Sequence, residues 1–170
     1  MLLVFFGLPG AGKTYAARVT ARAFNLRFHD GDDDLPESMR AAIAASQAIT
    51  DAQRDEFFAR LIAHVRALRA KGYPLAVAQT FIKEKYRRQV LDAFPEARFI
   101  LVEAADATRE RRLANRSAGA HLEPGYARRM AAIFEPPIIP HAVLSNDGSG
   151  SSDLIARMTS LLAAHPPREP

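Results

Sequence analysis

Apolar residues fall along this chain in two rhythms that alternate from end to end. Leu2, Leu3, Val4, Phe5 and Phe6 form an unbroken apolar run, as in a strand covered on both faces of a parallel sheet. From Tyr15 to Phe24 the apolar positions Ala16, Val19, Ala23 and Phe24 recur at helical spacing. Leu26 to His29 reads as a short second strand, followed by the acidic turn Asp30-Gly31-Asp32-Asp33-Asp34. Pro36 opens a helix to about Gln47. Thr50 or Asp51 caps a longer one, in which Phe57, Leu61, Val65 and Leu68 share a face until Gly72. Pro74 to Gln79 is the third strand, Lys83 to Phe94 a helix, Arg98 to Glu103 the fourth strand, and Asp106 to about Asn115 a further helix.

Beyond Arg116 the rhythm fades. Ser117-Ala118-Gly119-Ala120-His121 is a small-residue stretch between basic helices and reads as a flap. Tyr126 to Phe134 is helical until Glu135-Pro136-Pro137 stops it, and Ala142 to Leu144 is the fifth strand. A polar turn from Asn146 to Ser152 leads into a closing helix, Asp153 to Ala164, and a Pro-rich tail that is expected to fray. Strands alternating with helices predict an α/β fold, a three-layer α/β/α sandwich around a parallel sheet with right-handed crossovers. One domain is expected over residues 1–165, with residues 166–170 as the tail.

Composition narrows the function without naming it. The chain has 170 residues, 48% of them hydrophobic, which suffices to fill a real core. No apolar run approaches the ~20 residues of a membrane span, and the start lacks the features of a secretory signal, so a cytoplasmic protein is expected. Zero cysteines exclude disulfides, thiolate metal sites and cysteine nucleophiles. The net charge of +4 suits an anionic ligand, but the basic residues are dispersed and not interleaved with aromatics, so nucleic acid is not indicated.

The strongest chemical signal is Gly7-Leu8-Pro9-Gly10-Ala11-Gly12-Lys13-Thr14, directly after the first strand. It fits GxxxxGK[ST]. A strand that ends in such a loop and feeds a helix presents backbone N–H groups and a positive helix end to one small volume, which wants phosphate. Lys13 is expected to reach the β- and γ-phosphates of ATP, and the Thr14 hydroxyl to hold Mg²⁺. No other metal is inferred.

Ligands of parallel sheets collect beyond the carboxyl ends of the strands, which puts Asp30 and Asp32 beside this loop. One carboxylate there could order magnesium-bound water, and another could take the proton of an attacking hydroxyl. Asp33 and Asp34 read as a solvated acidic turn, and His29 as a buried strand residue. Phosphoryl transfer also needs further cations. Arg112 and Arg116, four apart on a helix face that leads into the flap, are the candidates, while Arg109 and Arg111 read as solvated. Arg54, Lys83 and Arg87 would anchor an acidic or polyhydroxylated acceptor. Tyr86 reads as ring packing, and His121 as an exposed flap residue.

Several local patterns have counterparts in a known group: Asp30-Gly31-Asp32 with Pro36, Asp51-Ala52-Gln53-Arg54, Thr80-Phe81-Ile82-Lys83-Glu84-Lys85-Tyr86-Arg87, Arg112-Leu113-Ala114-Asn115-Arg116 and Glu135-Pro136. In order and spacing the chain resembles the small P-loop kinases of the shikimate kinase and gluconate kinase group, gluconate kinase in particular. The resemblance implies a P-loop NTPase fold with strand order 2-3-1-4-5 and a helical lid over about residues 116–136. It implies ATP- and Mg²⁺-dependent phosphorylation of a hydroxyl on a small metabolite; for the assembly, monomer and homodimer both stay open. By that analogy Asp32 is the base and acceptor anchor, and Asp30 helps to place Mg²⁺. Arg112 lies by the adenine, and Arg116 swings in on the transferring phosphoryl group. The donor half matches, whereas the acceptor half departs: Leu35 replaces a His, Ala42 and Ile43 replace a Lys-Met pair, and Ser46 stands at a Gly position. Thr80-Phe81-Ile82 replaces Ser-Ala-Leu, which puts the Phe81 ring near the acceptor.

Two other classes compete. A nucleotide-dependent switch would hydrolyse ATP without an acceptor and usually carries an acid after an apolar strand. The third strand ends in Gln79-Thr80 without one, while the fourth ends in Glu103. A nucleoside or polynucleotide kinase fits the positive charge but lacks a base-stacking aromatic patch.

Overall fold

A computed structural model describes residues 1–115, 124–148 and 150–164, with residues 124–127 described in backbone only. Among these, five strands form one sheet: β1 (Leu2–Phe6), β2 (Arg27–Asp30), β3 (Leu75–Ala78), β4 (Arg98–Glu103) and β5 (His141–Ser145). Their order is β2-β3-β1-β4-β5, and every pairing is parallel. The helices are α1 (Lys13–Ala23), α2 (Glu37–Ala44), α3 (Asp51–Ala70), α4 (Glu84–Ala93), α5 (Asp106–Ala114), α6 (Pro124–Ala132) and α7 (Gly150–Ala164). No helix among the described residues is long and apolar enough to cross a membrane.

Side-chain alternation divides the core in two. Leu2, Val4 and Phe6 of β1 pack with Phe57, Phe58, Leu61 and Val65 of α3 and Tyr86 and Val90 of α4. Leu3 and Phe5 point the other way, onto Ala16, Ala17 and Ala21 of α1 and Leu154 and Met158 of α7. All five residues of β1 are buried, as their unbroken apolar run requires. Each large side chain so covered contributes roughly 1.5–3 kcal/mol. The central strand is therefore rigid, and its carboxyl end is where the glycine-rich loop begins.

Element boundaries differ from the expected ones for identifiable reasons. Helix α1 begins at Lys13 rather than Tyr15, because the loop's own Lys-Thr forms the first helical turn. Strand β2 is displaced by one residue, so Asp30 is its last member and pairs in register with Ala78. Helix α2 stops at Ala44 in a Schellman closure, with Gln47 N donating to Ala42 O at 2.8 Å and Ser46 N to Ile43 O at 3.0 Å. That closure puts Ser46 at φ 54, a conformation that suits glycine. The tail 165–170, and His121 and Arg116 with the rest of 116–123, lie outside the described residues.

Candidate active site

The loop between β1 and α1 is held by its neighbours. Gly7 has φ 142, and a Cβ there would collide with the Val102 carbonyl of β4; Gly12 has φ 89, and a Cβ would run into Asn146 Nδ2. Both positions therefore demand glycine by conformation and by space. Asn146, which follows β5, donates from Nδ2 to Ala11 O at 2.9 Å. From α5, Arg112 donates to Gly10 O at 3.4 Å, Ala11 O at 3.2 Å and Asn146 O at 2.8 Å. These donors occupy loop carbonyls, and of the loop's own N–H groups Ala11 N donates to Leu8 O at 3.2 Å. The α1 ladder reaches back to Gly12 O, which accepts from Ala16 N at 2.9 Å, and the N–H groups ahead of Ala16 have no acceptor within the helix. Such a helix end favours anions. Lys13 Nζ lies over the loop and donates to Leu8 O at 3.1 Å.

The acidic turn stands beside the loop because β2 and β1 both flank β3. Asp30 closes β2 and caps the following 3-10 turn (Gly31–Asp34) by accepting from Asp32 N at 3.3 Å. Burial, and after it the neighbouring Asp32 charge, pushes the Asp30 carboxyl above its ordinary range. The Asp32 carboxylate is exposed but held: Gln79 Nε2, at the end of β3, donates to its Oδ1 at 3.1 Å. Arg40 of α2 fixes the turn's backbone, donating to Asp32 O at 3.0 Å, Asp33 O at 3.1 Å and Leu35 O at 3.1 Å.

Two clefts meet at this turn. One, of about 330 Å³, is lined by Pro9, Gly10, Gly12, Lys13, Thr14, Tyr15, Asp30, Asp32, Gln79, Thr80 and Arg112. The other, of about 300 Å³, shares Pro9, Asp32, Gln79 and Thr80 with the first and continues over Arg40, Arg54 and Tyr86 onto an apolar floor that includes Met39, Ile43, Ile49 and Met130. The first cleft fits a magnesium-bound polyphosphate on chemical grounds. It offers a helix end, one lysine and one arginine to the anion, and hard oxygen donors, the Thr14 hydroxyl and the Asp30 carboxylate, to the cation. The Asp30 carboxyl, whose affinity for a proton the Asp32 charge raises, also gains from a nearby cation.

The two clefts bring together Lys13, Thr14, Asp30, Asp32, Arg54 and Arg112. Arg54 donates to Ile49 O at 2.7 Å and pairs with Asp51 at 3.3 Å at the edge of the second cleft. Three acceptor residues are corrected. Phe81 does not line the second cleft: its ring is 0% exposed, stacked on Phe58 at 5.1 Å, in the core between the sheet and α3. Arg87 is also 0% exposed. It pairs with Glu84 at 2.6 Å and donates to Phe81 O, Ile82 O and Glu135 O, so it bolts the exit of β3 to the segment after α6. Burial works to raise the Glu84 carboxyl, and the hydrogen bonds from Arg87 and the backbone at Ile138 and Ile139 outweigh it, leaving Glu84 below its usual range. Lys83, at the start of α4, faces Glu135 at 3.8 Å and does not line the cleft.

Tyr86 is the ring-packing residue expected, stacked on Phe58 at 4.3 Å, and burial pushes its hydroxyl well above the usual tyrosine range. Asp33 is exposed as expected, but Asp34 is not a solvated turn residue, since two histidines cover it. Gln79, Arg40 and Asn146 were not anticipated. The ends of β3 and β5 could have flagged Gln79 and Asn146, because ligand contacts gather there. Nothing in its local pattern marks Arg40.

Comparison with known proteins places the fold. The family described as an AAA domain matches residues 2–137. No curated protein matches significantly. Among solved structures, a sugar kinase from Janibacter superposes with TM-score 0.82 at 20% identity, over 96% of this chain and 95% of that one. A gluconokinase from Sinorhizobium meliloti gives TM-score 0.79 at 18% identity, over 96% and 91%. A shikimate kinase from Acinetobacter baumannii, bound to shikimate, gives 0.64 at 17%, over 96% and 94%. These likenesses show a shared fold.

Proposed function

The chain belongs to the AAA domain family, and from that premise we propose that it is an ATP-dependent kinase that transfers the γ-phosphate to a hydroxyl of a small metabolite. The observation that carries this reading is the position of Asp32, one of four residues common to a phosphate-type cleft and a second cleft. A hydrolytic switch needs only the first cleft. The fold shared with a sugar kinase, a gluconokinase and a shikimate kinase supports the same class.

In this mechanism Gly7 to Thr14 bind the polyphosphate, with Lys13 turning from Leu8 O to the terminal phosphates. Arg112 holds the loop in shape beside the nucleotide. Thr14 and Asp30 would hold Mg²⁺, which would supply neutralisation of the phosphate charge. Asp32, oriented by Gln79, accepts the proton of the acceptor hydroxyl, an effect worth typically 10²–10⁴-fold in rate. Arg116, which lies outside the described residues, is the further cation this reading assigns to the transferring phosphoryl group.

For the acceptor we favour a sugar acid or similar carbohydrate. Arg54 is the cation at the cleft edge that would meet its acid group, and the apolar floor of Met39, Ile43 and Ile49 suits the C–H face of a ring or chain. The test is ADP release by the purified protein with Mg²⁺ and ATP against a panel of sugar acids, polyols and cyclic acids, gluconate and shikimate included. Stimulation by a panel member supports a kinase and names the acceptor. Turnover indifferent to every acceptor but lost in Lys13→Ala would instead indicate a hydrolytic switch.

A further inference from the structure

We propose that His29, Asp34 and His64 form a binding site for a divalent transition ion of the zinc type, separate from the phosphate cleft. The three come from β2, the acidic turn and α3. His29 Nε2 lies 2.6 Å from Asp34 Oδ2, and His64 Nδ1 lies 2.7 Å from Asp34 Oδ1. The two imidazole rings are 4.5 Å apart between centroids, and one ligand atom from each residue falls within 4.8 Å of the others. The His29 and Asp34 side chains are only 7% and 9% exposed, while His64 is 44% exposed and stands on the solvent side, where an ion would enter.

The donor set decides the kind of ion. Two imidazole nitrogens and one carboxylate oxygen suit zinc and its first-row neighbours, whereas Mg²⁺ prefers an all-oxygen shell. Three protein ligands leave a fourth, solvent-facing position for water, a frequent arrangement for zinc. As the side chains stand, the Asp34 carboxylate bridges the two rings by hydrogen bonds. With Zn–N and Zn–O bonds of ~2.0–2.2 Å, tetrahedral ligand atoms sit about 3.3 Å apart, so a swing of the half-exposed His64 ring opens the space. The ion would stand where the ring nitrogens now face Asp34, each imidazole ligating in the tautomer that carries its proton on the other ring nitrogen. Such an ion would tie the acidic turn, two residues after Asp32, to α3, which also carries Arg54.

The experiment strips the purified protein with a chelator and titrates it with zinc against a chromophoric indicator, then with cobalt, whose visible absorption reports coordination. One equivalent per chain is expected, with a rise in thermal midpoint on adding zinc. His64→Ala and Asp34→Asn, checked for fold by circular dichroism, are expected to weaken uptake about tenfold or more and to lose that rise. His141→Ala and Asp30→Asn are expected to keep both. Absence of stoichiometric uptake by the unaltered chain overturns the proposal, because the three side chains are then only a hydrogen-bonded pin. So does uptake that survives both His64→Ala and Asp34→Asn, or that is lost in Asp30→Asn, which would put the ion in the phosphate cleft.

Discussion

Gln79 Nε2 donates to Asp32 Oδ1 at 3.1 Å, so the residue that follows β3 fixes the carboxylate at the junction of two clefts. A neutral amide does this without adding charge and leaves the carboxylate free to accept a proton. Gln79 is a positioning residue in this account. Replacement by Ala is expected to lower the turnover number by roughly 10- to 100-fold, less than loss of the base itself, with the KM for ATP nearly unchanged. Steady-state kinetics on both substrates check the split.

Asp30 carries a cost that can be read from pH. Burial first, and the Asp32 charge second, raise its folded pKa above the unfolded value. The folded chain then binds that proton more tightly than the unfolded chain. The group's contribution to stability falls as pH rises from the ordinary aspartate range through the folded value, and the whole cost is felt at neutral pH. Asp30→Asn keeps a capping side chain. It is expected to raise the thermal midpoint at neutral pH and to bring no gain near pH 3, below the ordinary aspartate value of ~3.9. Thermal melts across that range measure it, and the same variant is expected to lose Mg²⁺-dependent turnover.

Arg87 is expected to act on stability rather than on acceptor binding. Arg87→Ala leaves Glu84 charged and the carbonyls of Phe81 and Ile82 without this donor. Breaking a buried pair from one side costs roughly 3–5 kcal/mol, which denaturant titration would register. By contrast, Arg54→Ala is expected to raise the acceptor KM with little loss of stability.

The form and place of the glycine-rich loop were legible in the sequence, and the directions of the side chains beyond β3 were not. The glycine-rich loop obeys strict local rules of backbone conformation and helix ends, so a turn from Gly7 to Gly12 between a strand and a helix could be expected from spacing alone. Sheet order followed from the resemblance and holds in the structure. Side-chain direction just past a strand is not carried by spacing, and there the expectations failed: Phe81 turns into the core, and Arg87 turns onto backbone carbonyls. Contacts such as Asn146 to Ala11 join distant parts of the chain that only the assembled sheet brings together.

Ser46 offers a test of local strain. Its φ of 54 costs a residue with a Cβ about 1–2 kcal/mol, and the extra freedom of unfolded glycine offsets roughly half of that. Ser46→Gly is therefore expected to stabilise the fold by about 0.5–1 kcal/mol, seen as a rise of a few degrees in the thermal midpoint.

In the proposed reaction Asp32 takes the proton from an alcohol as the terminal phosphate of ATP is transferred to it. Single-turnover transfer of labelled γ-phosphate to an acceptor found in the panel, compared between the unaltered chain and Asp32→Asn, tests this most directly. Unchanged ATP affinity with transfer slowed by about 10²–10⁴-fold is expected; transfer by Asp32→Asn at the unaltered rate would remove Asp32 from the role of base.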